Sequence, residues 1–170
     1  MSSTQKPQLL RSAPYFPVAD VGQCSSYYER VLGFQCEYSA GAPAQFAIMS
    51  RDGFAIMFRL VSEPDRISPN ETQGGTWDAF FWTRDVNALH TELRDRGAEI
   101  VYGPTFQPAY QMDEFAIRDC AGYVLGFGQV RITTPRSNTT CYLPYRSGKG
   151  KISGQQTTVY LHSPSKWGRK

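Results

Sequence analysis

One apolar pattern occurs twice in this chain, 69 residues apart. The first copy runs over residues 46–58 and the second over residues 115–127, and five positions (Phe, Ala, Ile, Gly and a final Phe) are identical at that offset. Each copy consists of an apolar run, a Gly-containing turn and a second apolar run, which predicts a β-hairpin. Because an internal repeat reflects equivalent structural units, the chain is predicted to contain two similar modules with a cavity between them.

Helix signals precede each hairpin. Asp20 and Asp85 are N-cap candidates, and Gly33 and Gly97 follow the last apolar residue of each helical pattern. Short apolar runs at 14–18 and 79–82 and at 35–38 and 99–102 flank the two helices and predict strands. Prolines restrict the first of these strands to a sheet edge or a bulged position. Each module is therefore strand, helix and three strands, an α+β fold.

The second module is longer than the first between its helix and its hairpin. The helix caps are 65 residues apart, whereas the hairpins are 69 apart. The extra residues are predicted to form a loop over 103–114, near the cavity mouth. Its aromatic residues Phe106 and Tyr110 are candidates for a lid, with a surface loop that has no binding role as the alternative.

Charge divides the chain into two parts. Residues 131–170 carry eight Lys and Arg and no Asp or Glu, whereas residues 1–130 have a net charge of −5. The segment 131–170 is rich in Ser, Thr and Gly, which predicts a mobile basic tail. Tyrosines and a tryptophan lie among its charges, so nucleic-acid binding through the tail is an alternative function.

Targeting signals and cysteine usage indicate a compartment. No apolar run is long enough to cross a membrane, and no signal peptide opens the chain. Four cysteines without CxxC spacing are interpreted as free thiols in a reducing cytosol, with Cys24 and Cys36 buried. The predicted localisation is cytoplasmic.

Two ordered sets of motifs carry a family resemblance. The stretches 12–21 and 27–34 open the first module, and 77–86 and 118–127 occur in the second. Together they resemble the glyoxalase / bleomycin-resistance / extradiol-dioxygenase superfamily, over residues 12–129. The resemblance implies two βαβββ modules that form a curved mixed sheet around a shared cavity, commonly within a homodimer. With the charge division, the predicted organisation is a flexible N-terminus (1–11), a first module (12–60), a linker (61–76), a second module (77–130) and the basic tail (131–170), which has no counterpart in the family.

The resemblance also implies where a metal would be held. Metal-dependent members take ligands from the position seven before each helix-capping Asp and from the position four after each hairpin Gly. Those positions are Ala13, Asp78, Met57 and Gly126 here. Only Asp78 has a metal-binding group, and one carboxylate does not hold a divalent ion. No metal and no cofactor are therefore predicted. What remains is similar to the bleomycin-resistance branch, whose members sequester a drug without chemistry.

Strand alternation places these positions and their neighbours two residues away on one face. The residues predicted to point inward are Ala13, Tyr15, Pro17, Ala55, Met57, Arg59, Asp78, Phe80, Trp82, Val124, Gly126 and Gly128. The candidate ligand-binding residues among them are Tyr15, Met57, Arg59, Asp78, Phe80 and Trp82, with Phe106 and Tyr110 from the insertion. An aromatic cavity with one acid and one Arg suits a flat or amphipathic organic ligand. The small residues opposite are expected to leave it space.

The predicted function is metal-independent binding of an aromatic or cationic ligand, for example a bleomycin-type antibiotic, without turnover and with no assigned catalytic residue. Two alternatives concern individual residues: ordinary core packing of the aromatic side chains, and a structural Asp78–Arg59 ion pair. A third is an enzyme of the same superfamily, a lyase, isomerase or dioxygenase. It would use acid–base chemistry through Asp78 or a metal held by Asp78 with Glu114.

Overall fold

The computed structural model describes residues 8–131, and its helices and strands repeat once along the chain. The first module comprises β1 (Tyr15–Val18), α1 (Val21–Arg30), β2 (Gln35–Ala40), β3 (Phe46–Arg51) and β4 (Phe54–Leu60). The second comprises β5 (Ala79–Trp82), α2 (Val86–Asp95), β6 (Glu99–Gln107), β7 (Met112–Arg118) and β8 (Val124–Val130). Two 3-10 turns, Pro64–Arg66 and Asn70–Gln73, lie between the modules. The predicted α+β fold of two βαβββ modules is confirmed.

Each module forms a four-stranded mixed sheet with the same strand order. The orders are β1-β4-β3-β2 and β5-β8-β7-β6, and in each sheet the first pair is parallel and the others are antiparallel. The Pro-containing strand β1 lies at a sheet edge, as predicted, because proline cannot donate to a second neighbour. Among the residues described, no helix is long and apolar enough to span a membrane.

The helices begin where the sequence predicts. The carboxylate of Asp20 accepts a hydrogen bond from the amide of Gln23 at 2.8 Å, and that of Asp85 accepts from Asn87 and Ala88. Beyond the last turn of α2, Gly97 has φ +89, a conformation that favours glycine.

The loop predicted over 103–114 is mostly strand. Residues 103–107 extend β6, and β7 already begins at Met112, so only 108–111 connect the two strands. Pairing continues through Thr105 with Glu114 and Gln107 with Met112, after register shifts on either side of Tyr102. The extra residues are therefore accommodated by irregular pairing and longer strands. The difference between the helix offset and the hairpin offset shows that residues are inserted, but it does not show whether they form a loop.

The register assigns side chains to two faces of each sheet. In the first sheet Ile56 and Phe58 are buried in the core with residues of α1, and Tyr15, Met57 and Arg59 lie on the opposite face. We call this opposite surface, with Tyr38 and Phe46, the first open face. The second open face is its counterpart on the second sheet and carries Phe80, Trp82, Glu114, Gly126 and Gly128.

The modules pack through their helices and hairpin turns. Phe16 of β1 stacks on Tyr123 with ring centroids 4.3 Å apart, and the Tyr123 hydroxyl donates to the carbonyl of Pro17. On the other side, Arg51 at the end of β3 bonds to Glu92 of α2 at 2.8 Å. The β3–β4 turn therefore contacts α2 and the β7–β8 turn contacts β1, and the buried residues of both modules form one core.

Asp119 is a buried acid at this junction. Its carboxylate accepts hydrogen bonds from the Tyr28 hydroxyl at 2.8 Å and from the amides of Ala121 and Tyr123 at 2.9 Å. Burial raises the pKa of Asp119 to about 6, although these three donors act in the opposite direction. This carboxyl joins α1 to the β7–β8 turn and therefore one module to the other.

The cysteines of the first module differ in exposure. Cys24 is buried as predicted, but Cys36 is exposed, because β2 is the outer strand of its sheet and five of its six residues face solvent. The predicted basic tail, with its proposed nucleic-acid binding, lies outside the described residues apart from Arg131.

Candidate functional site

A cleft of about 640 Å³ lies where the two modules meet. Its walls come from β1, the end of β4, the segment 61–70, Asp78 and Tyr123. Three of the predicted ligand-binding residues, Tyr15, Arg59 and Asp78, line it together. The others, Met57, Phe80, Trp82, Phe106 and Tyr110, do not.

Both carboxylate oxygens of Asp78 accept hydrogen bonds from the backbone. Its Oδ1 accepts a hydrogen bond from the amide of Asn70 and its Oδ2 one from the amide of Val124, both at 2.8 Å. Within the described chain it forms no ion pair with Arg59, so the proposed structural pair is not present. The cost of placing a carboxylate here is offset by the two amide donors. Replacing Asp78 would disturb both the linker and the start of β8, so a loss of binding in such a variant would not locate a ligand.

The charged side chains of the cleft are mixed in sign. Arg66 pairs with Glu63 at 3.2 Å across one wall. Arg59 is exposed and lines the same cleft as Tyr15. An exposed guanidinium in a cleft can hydrogen-bond or stack with a planar polar group.

The second open face carries an aromatic cluster. The rings of Trp77 and Phe80 have centroids 4.6 Å apart, and those of Phe80 and Trp82 are 5.3 Å apart. The Trp82 side chain is 65% exposed. These rings fill the space that the sequence predicted to be open: a Cβ on Gly126 would lie 2.5 Å from Phe80 Cδ2 and 2.8 Å from Trp77 Cδ1. Because Gly126 and Gly128 have no side chains, the aromatic rings pack directly against the backbone of β8.

A buried carboxylate lies on the same face. Glu114 is 1% exposed, and its two oxygens accept hydrogen bonds from the hydroxyls of Tyr102 and Tyr110, each at 2.9 Å. Trp77 Nε1 donates in turn to the Tyr102 oxygen at 2.9 Å. Burial and the bond to Glu114 raise the pKa of Tyr110 to about 12, so the phenol stays protonated and donates. No sequence pattern predicted this network; an acid at an open-face position of β7 was the available signal.

The register separates the two residues proposed as a lid. Phe106 pairs with Asp113, one residue from the open-face Glu114, so strand alternation places Phe106 on the α2 side of the sheet. Tyr110 lies in the connection between β6 and β7 and reaches Glu114 on the open face.

The first open face is also aromatic. Phe46 has its ring 6.2 Å from both Tyr15 and Tyr38, and Met57 is the partner of Tyr15 in the β1–β4 pairing. Tyr15 and Tyr38 are 51% and 55% exposed. Both sheets therefore present aromatic rings on the face turned away from their helix.

The side chains at the four positions where the family resemblance implies metal ligands do not form a metal site. Ala13, Met57 and Gly126 offer no oxygen or imidazole, and both oxygens of Asp78 accept backbone hydrogen bonds. Glu114 is likewise occupied by two phenols. In the part of the chain that the structure describes, no three His, Cys, Asp or Glu side chains cluster at metal-binding distance. These residues do not fit a bound metal ion.

Two mixed sheets, each built from βαβββ in the same order, define a paired-module protein with one open face on each sheet, opposite its helix. The chain belongs to the Glyoxalase/Bleomycin resistance protein/Dioxygenase superfamily, whose model matches residues 12–127. This confirms the family resemblance found in the sequence. No curated protein matches the chain.

Solved structures share the fold at low identity. TioX from Micromonospora sp. ML1 is 22% identical with a TM-score of 0.57, over 70% of this chain and 97% of that one. The bleomycin-binding protein of Streptomyces verticillus, complexed with copper(II)-bleomycin, is 21% identical with a TM-score of 0.53, over 71% and 96%. A bleomycin resistance determinant encoded on transposon Tn5 is 18% identical with a TM-score of 0.54, over 72% and 98%.

Proposed function

We propose that this protein binds and sequesters an aromatic or cationic organic molecule without metal and without turnover, in the manner of the bleomycin-resistance proteins. The observation that carries the proposal is the pair of exposed aromatic surfaces on the open faces. On each of them at least one large ring is more than half exposed. Neighbouring rings that remain exposed on a folded protein are typical of binding surfaces.

The aromatic residues of the second open face suit a planar ligand. A tryptophan contributes roughly 150–250 Å² of buried surface when covered, and most of the Trp82 side chain is still available. Stacking on Trp82 beside Phe80 would remove apolar area on both partners from water. The same ring face attracts an organic cation through its quadrupole, which accounts for the cationic part of the proposed ligand class.

The Glu114 network supports binding by holding the aromatic cluster in place. Trp77 is oriented by its bond to Tyr102, and Tyr102 is fixed by the buried Glu114. Phe80 packs on Gly126 and contacts both Trp77 and Trp82. A surface arranged before the ligand arrives loses less side-chain entropy on binding, which improves affinity.

The structural relatives support the ligand class. Two proteins with this fold are described as binding bleomycin or conferring resistance to it. At this level of identity they support the fold directly and the ligand only by analogy. A bleomycin-type glycopeptide is therefore the first ligand to test, beside simple aromatic cations.

A homodimer, located in the cytoplasm, is part of the proposal. Tyr15, Tyr38 and Trp82 on the two open faces are each more than half exposed, and exposed apolar patches are typical of interaction sites. A second copy would cover part of them and enclose the rest as a pocket. Light scattering at micromolar concentration is expected to report twice the chain mass, and a monomeric mass at all concentrations would contradict this part of the proposal.

The binding test combines thermal shift with a matched pair of variants. A ligand that binds only the native state raises Tm by mass action. We expect a glycopeptide or an aromatic cation to do so for the wild type, and Trp82→Ala to weaken that binding by at least about tenfold, as for a central aromatic anchor. Phe54→Ala is the control, since Phe54 is 51% exposed but lies on the helix side of its sheet.

Two outcomes would overturn the proposal. Equal affinity of the wild type and Trp82→Ala for every ligand that binds would show that the second open face is not the binding site. A rise in Tm with divalent metals alone, or metal-dependent turnover of a bound compound, would favour an enzyme of the same superfamily. Titration with the metal chelated separates the two, because sequestration is expected to be unaffected by the chelator.

A further inference from the structure

Two cysteines from different modules are in contact. Cys24 lies on α1 and Cys120 in the turn between β7 and β8, 96 residues later in the chain. Their sulfurs are 3.6 Å apart and share a hydrogen bond. Cys24 is 3% exposed, whereas Cys120 is open to solvent. An accessible thiol backed by a buried one is the arrangement in which the first is oxidised and the second resolves it.

From this contact we infer that Cys24 and Cys120 form a reversible, peroxide-sensitive dithiol that can link the two modules covalently. To reach disulfide length the sulfurs must move closer by about 1.5 Å. The hydrogen bond from Tyr28 to Asp119 joins the same helix to the same turn, and it keeps the two cysteines close to each other.

The chemistry assigns a different role to each thiol. The Cys24 thiol, by hydrogen bonding, lowers the pKa of Cys120, and the same contact together with burial raises the pKa of Cys24. The Cys120 thiolate attacks a hydroperoxide and takes one oxygen, which breaks the O–O bond and releases hydroxide or alkoxide. The Cys24 thiol then attacks the sulfenic sulfur of Cys120; the S–S bond forms and the hydroxyl leaves as water, taking the Cys24 proton. The peroxide accepts the two electrons that the thiols lose.

The test uses the full chain with Cys36→Ser and Cys141→Ser, which leaves this pair alone. Hydrogen peroxide is expected to produce a species lighter by two hydrogens, with a Cys24–Cys120 crosslink in the peptide map that dithiothreitol removes. Adding Cys24→Ser to this background provides the matched control. There Cys120 is expected to gain oxygen instead, because no resolving thiol is in contact with it.

The native fold must be the cause of the reactivity. In denaturant the two cysteines are distant in the chain, so disulfide formation at the same peroxide concentration and pH is expected to slow by at least about tenfold. Equal rates in folded and unfolded protein would overturn the inference. So would oxygen addition without a crosslink in the two-cysteine protein, or a crosslink found only between chains on a non-reducing gel.

Discussion

Gly103→Ala is expected to destabilise the protein by about 3 kcal/mol or more, from a left-handed backbone penalty and a steric clash together. Gly103 has φ +87, and a Cβ there would lie 2.5 Å from the carbonyl oxygen of Glu114 and 2.8 Å from Phe115 Cα. Both obstacles are backbone or buried core of β7, so neither can move without separating β6 from β7. Urea denaturation of the two proteins measures the loss.

The chain offers a matched control for this substitution. Gly97 has nearly the same conformation, φ +89, and a Cβ added there would meet no atom within 4 Å. Gly97→Ala should therefore cost only the backbone term, about 1 kcal/mol. A similar loss in both variants would mean that the close approach of β6 to β7 adds nothing. Because Gly103 is next to Tyr102, its variant is also expected to weaken ligand binding on the second open face.

Asp119→Ala is expected to destabilise the protein by about 3–5 kcal/mol near pH 4, because it leaves two buried donors and one partly buried donor without an acceptor at about 1–3 kcal/mol each. The donors are the Tyr28 hydroxyl and the amides of Ala121 and Tyr123. Tyr28→Phe removes one of the three bonds and should cost roughly a third as much. Chemical denaturation of the three proteins at one pH gives the comparison.

The cost of Asp119→Ala should fall as the pH rises. The pKa of Asp119 is about 6 in the folded protein, against about 3.9 when unfolded. Between these values the unfolded state has lost the proton that the folded state keeps, so the wild type loses up to about 3 kcal/mol of stability as pH rises from about 4 to 6. Asp119→Asn retains an acceptor and does not titrate. A constant difference between wild type and Asp119→Asn across this range would contradict the buried, titrating carboxyl.

The stability of the fold and the arrangement of its candidate site depend on different contacts. The second open face depends on β6 and β7 pairing closely enough for Tyr102 and Tyr110 to reach Glu114. The contact between modules depends on the turn that contains Asp119 and Cys120. Variants at Gly103 and Asp119 therefore test separate parts of the molecule, and their effects should add, since distant sites without shared partners are independent.

The candidate site was predictable only in outline. Strand alternation grouped Tyr15 with Met57 and Phe80 with Trp82, and the register places the first pair on the open face of the first sheet and the second pair on that of the second sheet. It did not predict that Phe80 would fill the space over Gly126. A glycine indicates that another group can approach the backbone closely, but it does not identify that group. The loop expected over 103–114 failed for a related reason: an insertion can be absorbed by irregular strand pairing as well as by a loop.

The sequence by itself determined the two-module architecture. Helix caps at Asp20 and Asp85 and hairpins at a constant offset are local signals, and repetition of the same signals confirmed each of them. Only the tertiary structure decided which polar groups meet. Asp78 binds the amides of Asn70 and Val124 rather than Arg59, and Cys24 contacts Cys120. These contacts join residues up to 96 positions apart, and they depend on how two folded modules pack, which no local pattern encodes.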